Sequence, residues 1–200
     1  MTNDLTVHGI FPTPIAESTI DLPDISHIVW EQQSTGIEQS EAELHQKAVM
    51  QEFCDTIVKK AEEFSKQIGW RDEKLWITQM WANRYTPVEG KEGGSIKAHF
   101  HSNSLLSGVV YFTDSSPTRF FKHDKTPTLI QTKNENTTPF ITEIFTVDAI
   151  KGRLVFFPSY LIHDSQPCDK ERITISFNLL PTQLGTRLDY NFVDLSNCKS

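Results

Sequence analysis

Two short stretches of this chain hold the residue types that bind metals. His99 and His101 stand one residue apart in SIKAHFH, and His163 follows the apolar run LVFFP. On an extended strand, positions i and i+2 face the same side, so two imidazoles spaced in this way present themselves together to an ion. The plainer reading is a pair of surface histidines on a solvated strand and a structural His163. As members of one spaced set the three form a candidate site. Imidazole suits iron, zinc, copper and nickel, so these residues alone do not choose the metal.

Arg172 lies nine positions beyond His163. In RITISFN, alternation puts Arg172, Thr174 and Ser176 on one face and Ile173, Ile175 and Phe177 on the other. A guanidinium heading the inner face of a barrel strand is costly unless an anion pairs with it. Its planar fork matches a carboxylate bidentately, and Thr174 can add a hydroxyl donor. The competing reading has Arg172 at a strand end, facing water and pairing with Asp169 or Glu171.

The elements that must position these residues follow from pattern. VHGIFPTPIAESTI, residues 7–20, reads as an edge strand or extended arm because of Pro12 and Pro14. A short helix is expected at about 24–32. Ser40 with Glu43 resembles a capping box, and Ala48, Phe53, Ile57, Val58, Ala61, Phe64 and Ile68 recur at helical spacing up to Gly69. This predicts one long helix of about 28 residues packed on the face of a sheet. From Leu75 the period changes. WITQMWANRY, SIKAHFH, LLSGVVYFT, TRFFKH, PTLIQT, FITEIFTV, GRLVFFP and RITISFNLL read as short strands, with another around Leu188–Val193. Short strands at near-regular spacing indicate an antiparallel sandwich or barrel. Gly93 and Gly94 allow a sharp turn before the histidines. Residues 86–97 suit a substrate-side loop, and Trp76 and Trp81 read as core aromatics. One domain over 1–200 is expected, with a strand and helices to about 70 and a barrel over about 74–182.

The 200 residues carry a formal charge of −7, with 38% hydrophobic and 22% charged side chains. The chain is therefore globular, and its acidity argues against nucleic-acid binding. Cys54, Cys168 and Cys198 are scattered, which argues against a disulfide framework. No apolar run reaches the length of a membrane span. Met1-Thr2-Asn3-Asp4 opens no signal peptide, so a cytoplasmic protein is expected, or one of the host cytoplasm if phage-encoded.

Several blocks together resemble the 2-oxoglutarate- and Fe(II)-dependent oxygenases, in particular a group known from bacteria and phages. These are F-x-T-P at Phe11–Pro14, W-x-N at Trp81–Asn83, and H-x-H with N-S-x-x-S-G-V-x-Y from His99 to Tyr111. Also present are G-x-L-x-x-F-P-S-x-x-x-H and R-I-x-I-S-F-N between Gly152 and Asn178. The resemblance implies a double-stranded β-helix, a jelly-roll or cupin-like barrel braced by the long helix. It implies Fe(II) as metal and 2-oxoglutarate and O2 as co-substrates. It further implies a hydroxylase-type dioxygenase that turns 2-oxoglutarate into succinate and CO2 while oxidising a small-molecule or peptidyl substrate. By the same resemblance His163 matches the distal metal histidine and Arg172 the arginine that grips the distal carboxylate. Tyr111 matches the tyrosine offered to 2-oxoglutarate, and Tyr85 the tyrosine of the prolyl-hydroxylase-like loop. Asn83, Asn103 and Ser176 are further candidates.

One departure stands out. The family pattern is His-x-Asp or His-x-Glu, and here position 101 is His. His99, His101 and His163 are the preferred ligands. A shifted register with His101 and Asn103 is the alternative, and Asp114 and Asp164 are the reserve carboxylates. Two other readings compete. A cupin-like metalloenzyme fits the Gly93…His99-x-His101 and Gly152…Pro158…His163 spacings but lacks the cupin glutamate and has no use for Arg172. A non-catalytic, degenerate barrel fits the missing acidic ligand.

Overall fold

The computed structural model describes residues 12–70, 74–87, 94–122, 142–184 and 193–194. Its largest element is a seven-stranded antiparallel sheet. The strands are β1 (Ala16–Thr19), β2 (Glu31–Ser34), β3 (Ile37–Gln39), β4 (Leu75–Tyr85), β5 (Leu106–Tyr111), β8 (Arg153–Pro158) and β10 (Arg172–Pro181), in the order β1-β8-β5-β10-β4-β3-β2. A smaller sheet holds β6 (Ser115–Phe121), β7 (Ile144–Ala149) and β9 (His163–Ser165) in the order β7-β6-β9. The pair β11 (Gln183–Leu184) and β12 (Val193–Asp194) stands apart. Two antiparallel sheets and one bracing helix make the expected double-stranded β-helix.

The central strands are apolar on both faces because each face is covered by something different. Leu106 and Val110 of β5, Leu154 and Phe156 of β8, and Ile175 and Phe177 of β10 pack with Phe53, Ile57, Ala61 and Phe64 of the helix α1 (Gln51–Gln67). Val109, Tyr111, Val155 and Phe157 face the other way and meet Phe120, Val147 and Ala149 of the small sheet. Gly108 is required where these layers are tightest. A Cβ there would fall 2.3 Å from the Phe177 ring and 2.8 Å from the Val155 carbonyl.

The helix braces the sheet as expected, but it is shorter. Residues 40–50 are not its first turns. Two 3-10 turns, Leu44–Gln46 and Ala48–Met50, precede it, and Lys47 between them is extended. Ser40 is not an N-cap. Its N–H donates to the Ala82 carbonyl at 2.9 Å, and its Oγ accepts the Ala82 N–H at 2.8 Å. Met80 N–H donates to the Ala42 carbonyl. The buried ladder groups of β4 need partners, and residues 40–43 supply them in place of a helical turn.

The short helix expected at 24–32 is absent. Asp24 instead closes a turn by accepting the Ser26 N–H and hydroxyl, and β2 begins at Glu31. β1 is the expected edge strand, paired among the described residues with β8 alone. The strand expected in PTLIQT, the residues from 188 to 192 and Gly93 lie outside the described residues. SIKAHFH forms no regular strand. It contributes one bridge, His99 to His163, to the edge of the small sheet.

Candidate active site

That single bridge builds the histidine cluster. His99 N–H donates to the His163 carbonyl at 3.0 Å and His163 N–H to the His99 carbonyl at 2.9 Å, so the two residues sit directly opposite one another. Their ring centroids are 4.4 Å apart. His101 is held from a different side, its N–H donating to the Ser159 carbonyl at 2.9 Å. Its ring lies parallel to that of His163 with Nε2 to Nε2 at 3.3 Å. One ligand atom from each histidine falls within 4.8 Å of the other two. No other such group of three occurs among the described residues.

The rings are oriented for donation. His99 Nδ1 faces the Lys97 carbonyl at 2.8 Å, and His163 Nδ1 faces the Leu161 carbonyl at 2.9 Å. A carbonyl only accepts, so each Nδ1 carries the hydrogen and each Nε2 keeps its lone pair. Burial beside Phe157 and Phe120 disfavours the imidazolium. It lowers His163 to about 3 and, with His99 adding repulsion, lowers His101 to about 4. Both rings are therefore neutral at pH 7, the state that binds a metal.

The same cavity, of about 520 Å³, is lined by these histidines and by Arg172, Thr174 and Ser176 of β10. Arg172 is 3% exposed, so it does not face water. Among the described residues no carboxylate pairs with it. Nη2 donates to Thr118 Oγ1 at 3.0 Å, and Nε is buried without a partner among the described residues. Tyr85 and Tyr111 flank the guanidinium, 5.6 and 5.8 Å from ring centre to Cζ. The register explains the cluster: Arg172 lies opposite Tyr85, and Thr174 opposite Asn83 on one side and Tyr111 on the other. Tyr111 Oη donates to Thr118 Oγ1 at 2.7 Å. Burial pushes the phenols of Tyr85 and Tyr111 up, so both remain O–H donors.

Thr118 was not legible from spacing near the histidines or the arginine. It comes from β6, and only the approach of the small sheet to the large one brings it to Arg172 and Tyr111. The alternation of SPTRFF, which puts Thr118 on the face of Phe120, was the available signal. Trp81 corrects the expectation of a core aromatic. It lines the cavity with its ring 5.7 Å from that of His101. Trp76 lies outside this cavity. Asn83 lines the wall, accepting from Gln39 Nε2 at 2.9 Å and donating to Ser176 Oγ at 3.4 Å. Ser95, Ile96 and Lys97 of the expected substrate-side loop also line it.

Asn103 does not enter the site. It is exposed, with a φ of 57°, in the turn after His101. The shifted register has no support in this geometry. Asp164 lines the cavity beside His163, but its carboxylate is gripped by Arg119 Nε at 2.9 Å and by Nη2. Asp114 accepts the Lys151 N–H on the surface. Gly94 serves close packing: a Cβ there would lie 2.8 Å from Ile37 Cγ1 and 2.9 Å from the Gly36 carbonyl.

The donor set is suited to a divalent metal, and the guanidinium, with no carboxylate partner among the described residues, is suited to a carboxylate in the same cavity. Comparison with known proteins agrees. Residues 79–178, half of the chain, match the sequence model of a family described as "Putative 2OG-Fe(II) oxygenase". No curated protein matches the chain in sequence. Among solved structures the chain is similar to HygX from Streptomyces hygroscopicus, determined with nickel, 2-oxoglutarate and hygromycin B. The identity is 10%, over 85% of this chain and 84% of that one, with a TM-score of 0.57. It is similar to an oxidoreductase of the 2OG-Fe(II) oxygenase family from Burkholderia pseudomallei, at 12% identity over 77% and 72% of the chains and a TM-score of 0.55. It is also similar to the non-heme alpha ketoglutarate dependent epimerase SnoN from nogalamycin biosynthesis, at 13% identity over 80% and 69% and a TM-score of 0.57. These identities carry the fold alone; the family match carries the chemistry and favours it over a cupin-like or degenerate barrel. The chain belongs to the 2OG-Fe(II) oxygenases, enzymes that use Fe(II), 2-oxoglutarate and O2.

Proposed function

We propose that His99, His101 and His163 hold Fe(II) through their Nε2 atoms and that Arg172 receives the distal carboxylate of 2-oxoglutarate. The observation that carries this is the buried Arg172 guanidinium, with Nε unpartnered and no carboxylate beside it among the described residues, in the cavity that holds the three imidazoles. When bound, the metal and co-substrate supply O2 activation coupled to loss of CO2 from 2-oxoglutarate. The residues of this chain supply position. Thr118 Oγ1 accepts from both Tyr111 and Arg172, so its own hydrogen is available to a ligand carboxylate. Thr174, Tyr85, Ser176 and Asn83 complete the polar wall. Phe157 and Phe120 pack against His163 and shield its ring from water. Trp81, Gln33 and Gln39 face the same cavity and are the substrate-side surface in this reading.

The reaction is a hydroxylation-type oxidation of a small-molecule or peptidyl substrate. With His101 in place of the usual carboxylate, three neutral imidazoles would hold the ion, and the negative 2-oxo acid end of 2-oxoglutarate would supply its principal counter-charge.

Arg172→Ala tests the assignment. It removes charge-assisted hydrogen bonds worth roughly 1.5–3 kcal/mol, so 2-oxoglutarate binding should weaken roughly 10- to 150-fold while metal content stays near that of the parent. Calorimetric titration of the metal-loaded variant reads both. Loss of metal together with 2-oxoglutarate would make Arg172 a structural residue.

A further inference from the structure

Four polar residues of the family-like blocks, Ser104, Ser107, Ser159 and Asn178, lie outside the cavity lining and are hydrogen-bonded to one another. They come from different parts of the barrel and meet behind the histidine cluster. Ser107, the second residue of β5, lies opposite Asn178 of β10 on one side and Phe157 of β8 on the other. Its Oγ donates to Asn178 Oδ1 at 2.8 Å and lies 2.8 Å from Ser159 Oγ. Ser159 Oγ donates to Ser104 Oγ at 2.9 Å, and Ser104 Oγ donates to the carbonyls of Leu106 and Leu179 at 3.0 and 3.2 Å. Asn178 Nδ2 donates to Gln79 Oε1. Ser107, Ser159 and Asn178 are 1%, 0% and 4% exposed.

Such a chain is expensive to bury unless satisfied, and rigid once it is. Its location shows what it holds. The Ser159 carbonyl accepts the His101 N–H, and the Ser159 N–H donates to the Leu105 carbonyl, so the backbone of one residue ties both ends of the turn 101–105. Leu105 N–H adds a bond to the Leu179 carbonyl. That turn contains Asn103 at a φ of 57°, a conformation side chains other than glycine seldom adopt, and it persists only when its flanks are fixed. Ser159 also opens the turn that leads to His163, whose Nδ1 is set by the Leu161 carbonyl. Two of the three histidines are thus referenced to one buried serine.

We infer that Ser104, Ser107, Ser159 and Asn178 form a positioning network that sets the metal affinity of this chain by fixing where His101 and His163 stand relative to each other. This rests on the reading of the three histidines as the metal site. The network touches neither metal nor co-substrate. It acts through the Ser159 peptide, and its effect belongs to the geometry of the ligand set.

The test is titration of the full-length, metal-free protein with Co(II) alone, followed by visible absorption, at a temperature well below unfolding. Ser107→Ala should raise the Co(II) dissociation constant at least tenfold, equivalent to about 1.4 kcal/mol, and shift the ligand-field band. Ser104→Ala, half-buried and easier to tolerate, should act in the same direction and decides the matter if Ser107→Ala fails to fold. Asn178→Asp, which keeps an acceptor for Ser107, should lose less affinity than Asn178→Leu. Ile57→Val, a helix–sheet core change away from the network, is the control and should leave affinity and band unchanged. Parental affinity and spectrum in both serine variants would overturn the inference, as would an equal loss in Ile57→Val. A parent protein that binds no Co(II) would overturn the metal-site reading itself, and the network inference with it.

Discussion

At the level of single residues, what distinguishes this site is that burial keeps two of its histidines neutral. Burial holds His101 and His163 far below the ordinary imidazole range, at about 4 and 3. In the unfolded chain both titrate near 6.5. Between those values the unfolded state binds more protons than the folded one, so stability of the metal-free protein rises with pH. It should fall as pH drops from about 6.5 through about 4, and chemical denaturation of the metal-free protein across that window should show the slope. His101→Phe should flatten part of it; an unchanged slope in that variant would place the protonation elsewhere. Thr118 is the second residue-scale prediction. Thr118→Val leaves the shape but removes the acceptor shared by Tyr111 and Arg172. The affinity for 2-oxoglutarate should drop by roughly 0.5–1.5 kcal/mol, about 2- to 12-fold, with metal binding preserved, as read by calorimetry.

At the level of elements, the strand pattern was a better guide than the helix pattern. Alternation in RITISFN placed Arg172, Thr174 and Ser176 on the cavity face, and β10 does so. The capping-box signal at Ser40 and Glu43 was misleading because local chemistry competed with open ladder groups on Met80 and Ala82. Those partners lie about forty residues away, and no window centred on Ser40 contains them. Thr118 was hidden for the same reason, since its meaning depends on Arg172 approaching from the opposite sheet. His99 and His101 were readable because i, i+2 spacing survives even where SIKAHFH keeps only one bridge instead of a strand. Trp81 was misread because an aromatic in an alternating strand carries no label for which face meets a cavity. Gly108 supplies the test at this scale. Gly108→Ala drives a methyl into the Phe177 ring and the Val155 carbonyl. Overpacking of this kind costs about 1–3 kcal/mol, and the unfolding midpoint of the metal-free protein should fall by roughly 2–12 °C.

At the level of the whole molecule, the two sheets divide the work. The large sheet with α1 makes an apolar foundation, and the small sheet brings His163 and Thr118 over residues of β10 and β4. No described helix is long and apolar enough to cross a membrane. The site spans both sheets, so a ligand set that engages both should stabilise the fold as a unit. Ligand at about 100 times its dissociation constant adds roughly 2.7 kcal/mol. Fe(II) with 2-oxoglutarate under anaerobic conditions should therefore raise the unfolding midpoint by several degrees, whereas 2-oxoglutarate without metal should raise it much less.

The central claim is that one cavity holds the metal on three histidines and the co-substrate on Arg172. Anaerobic titration of the metal-free protein with Fe(II) and then 2-oxoglutarate tests it directly, because chelation of the metal by the 2-oxo acid produces a visible charge-transfer band. The account predicts the band in the parent protein and its loss in His99→Ala and in His163→Ala. Tight Fe(II) binding with no band on adding 2-oxoglutarate, or a band that survives both substitutions, would contradict it.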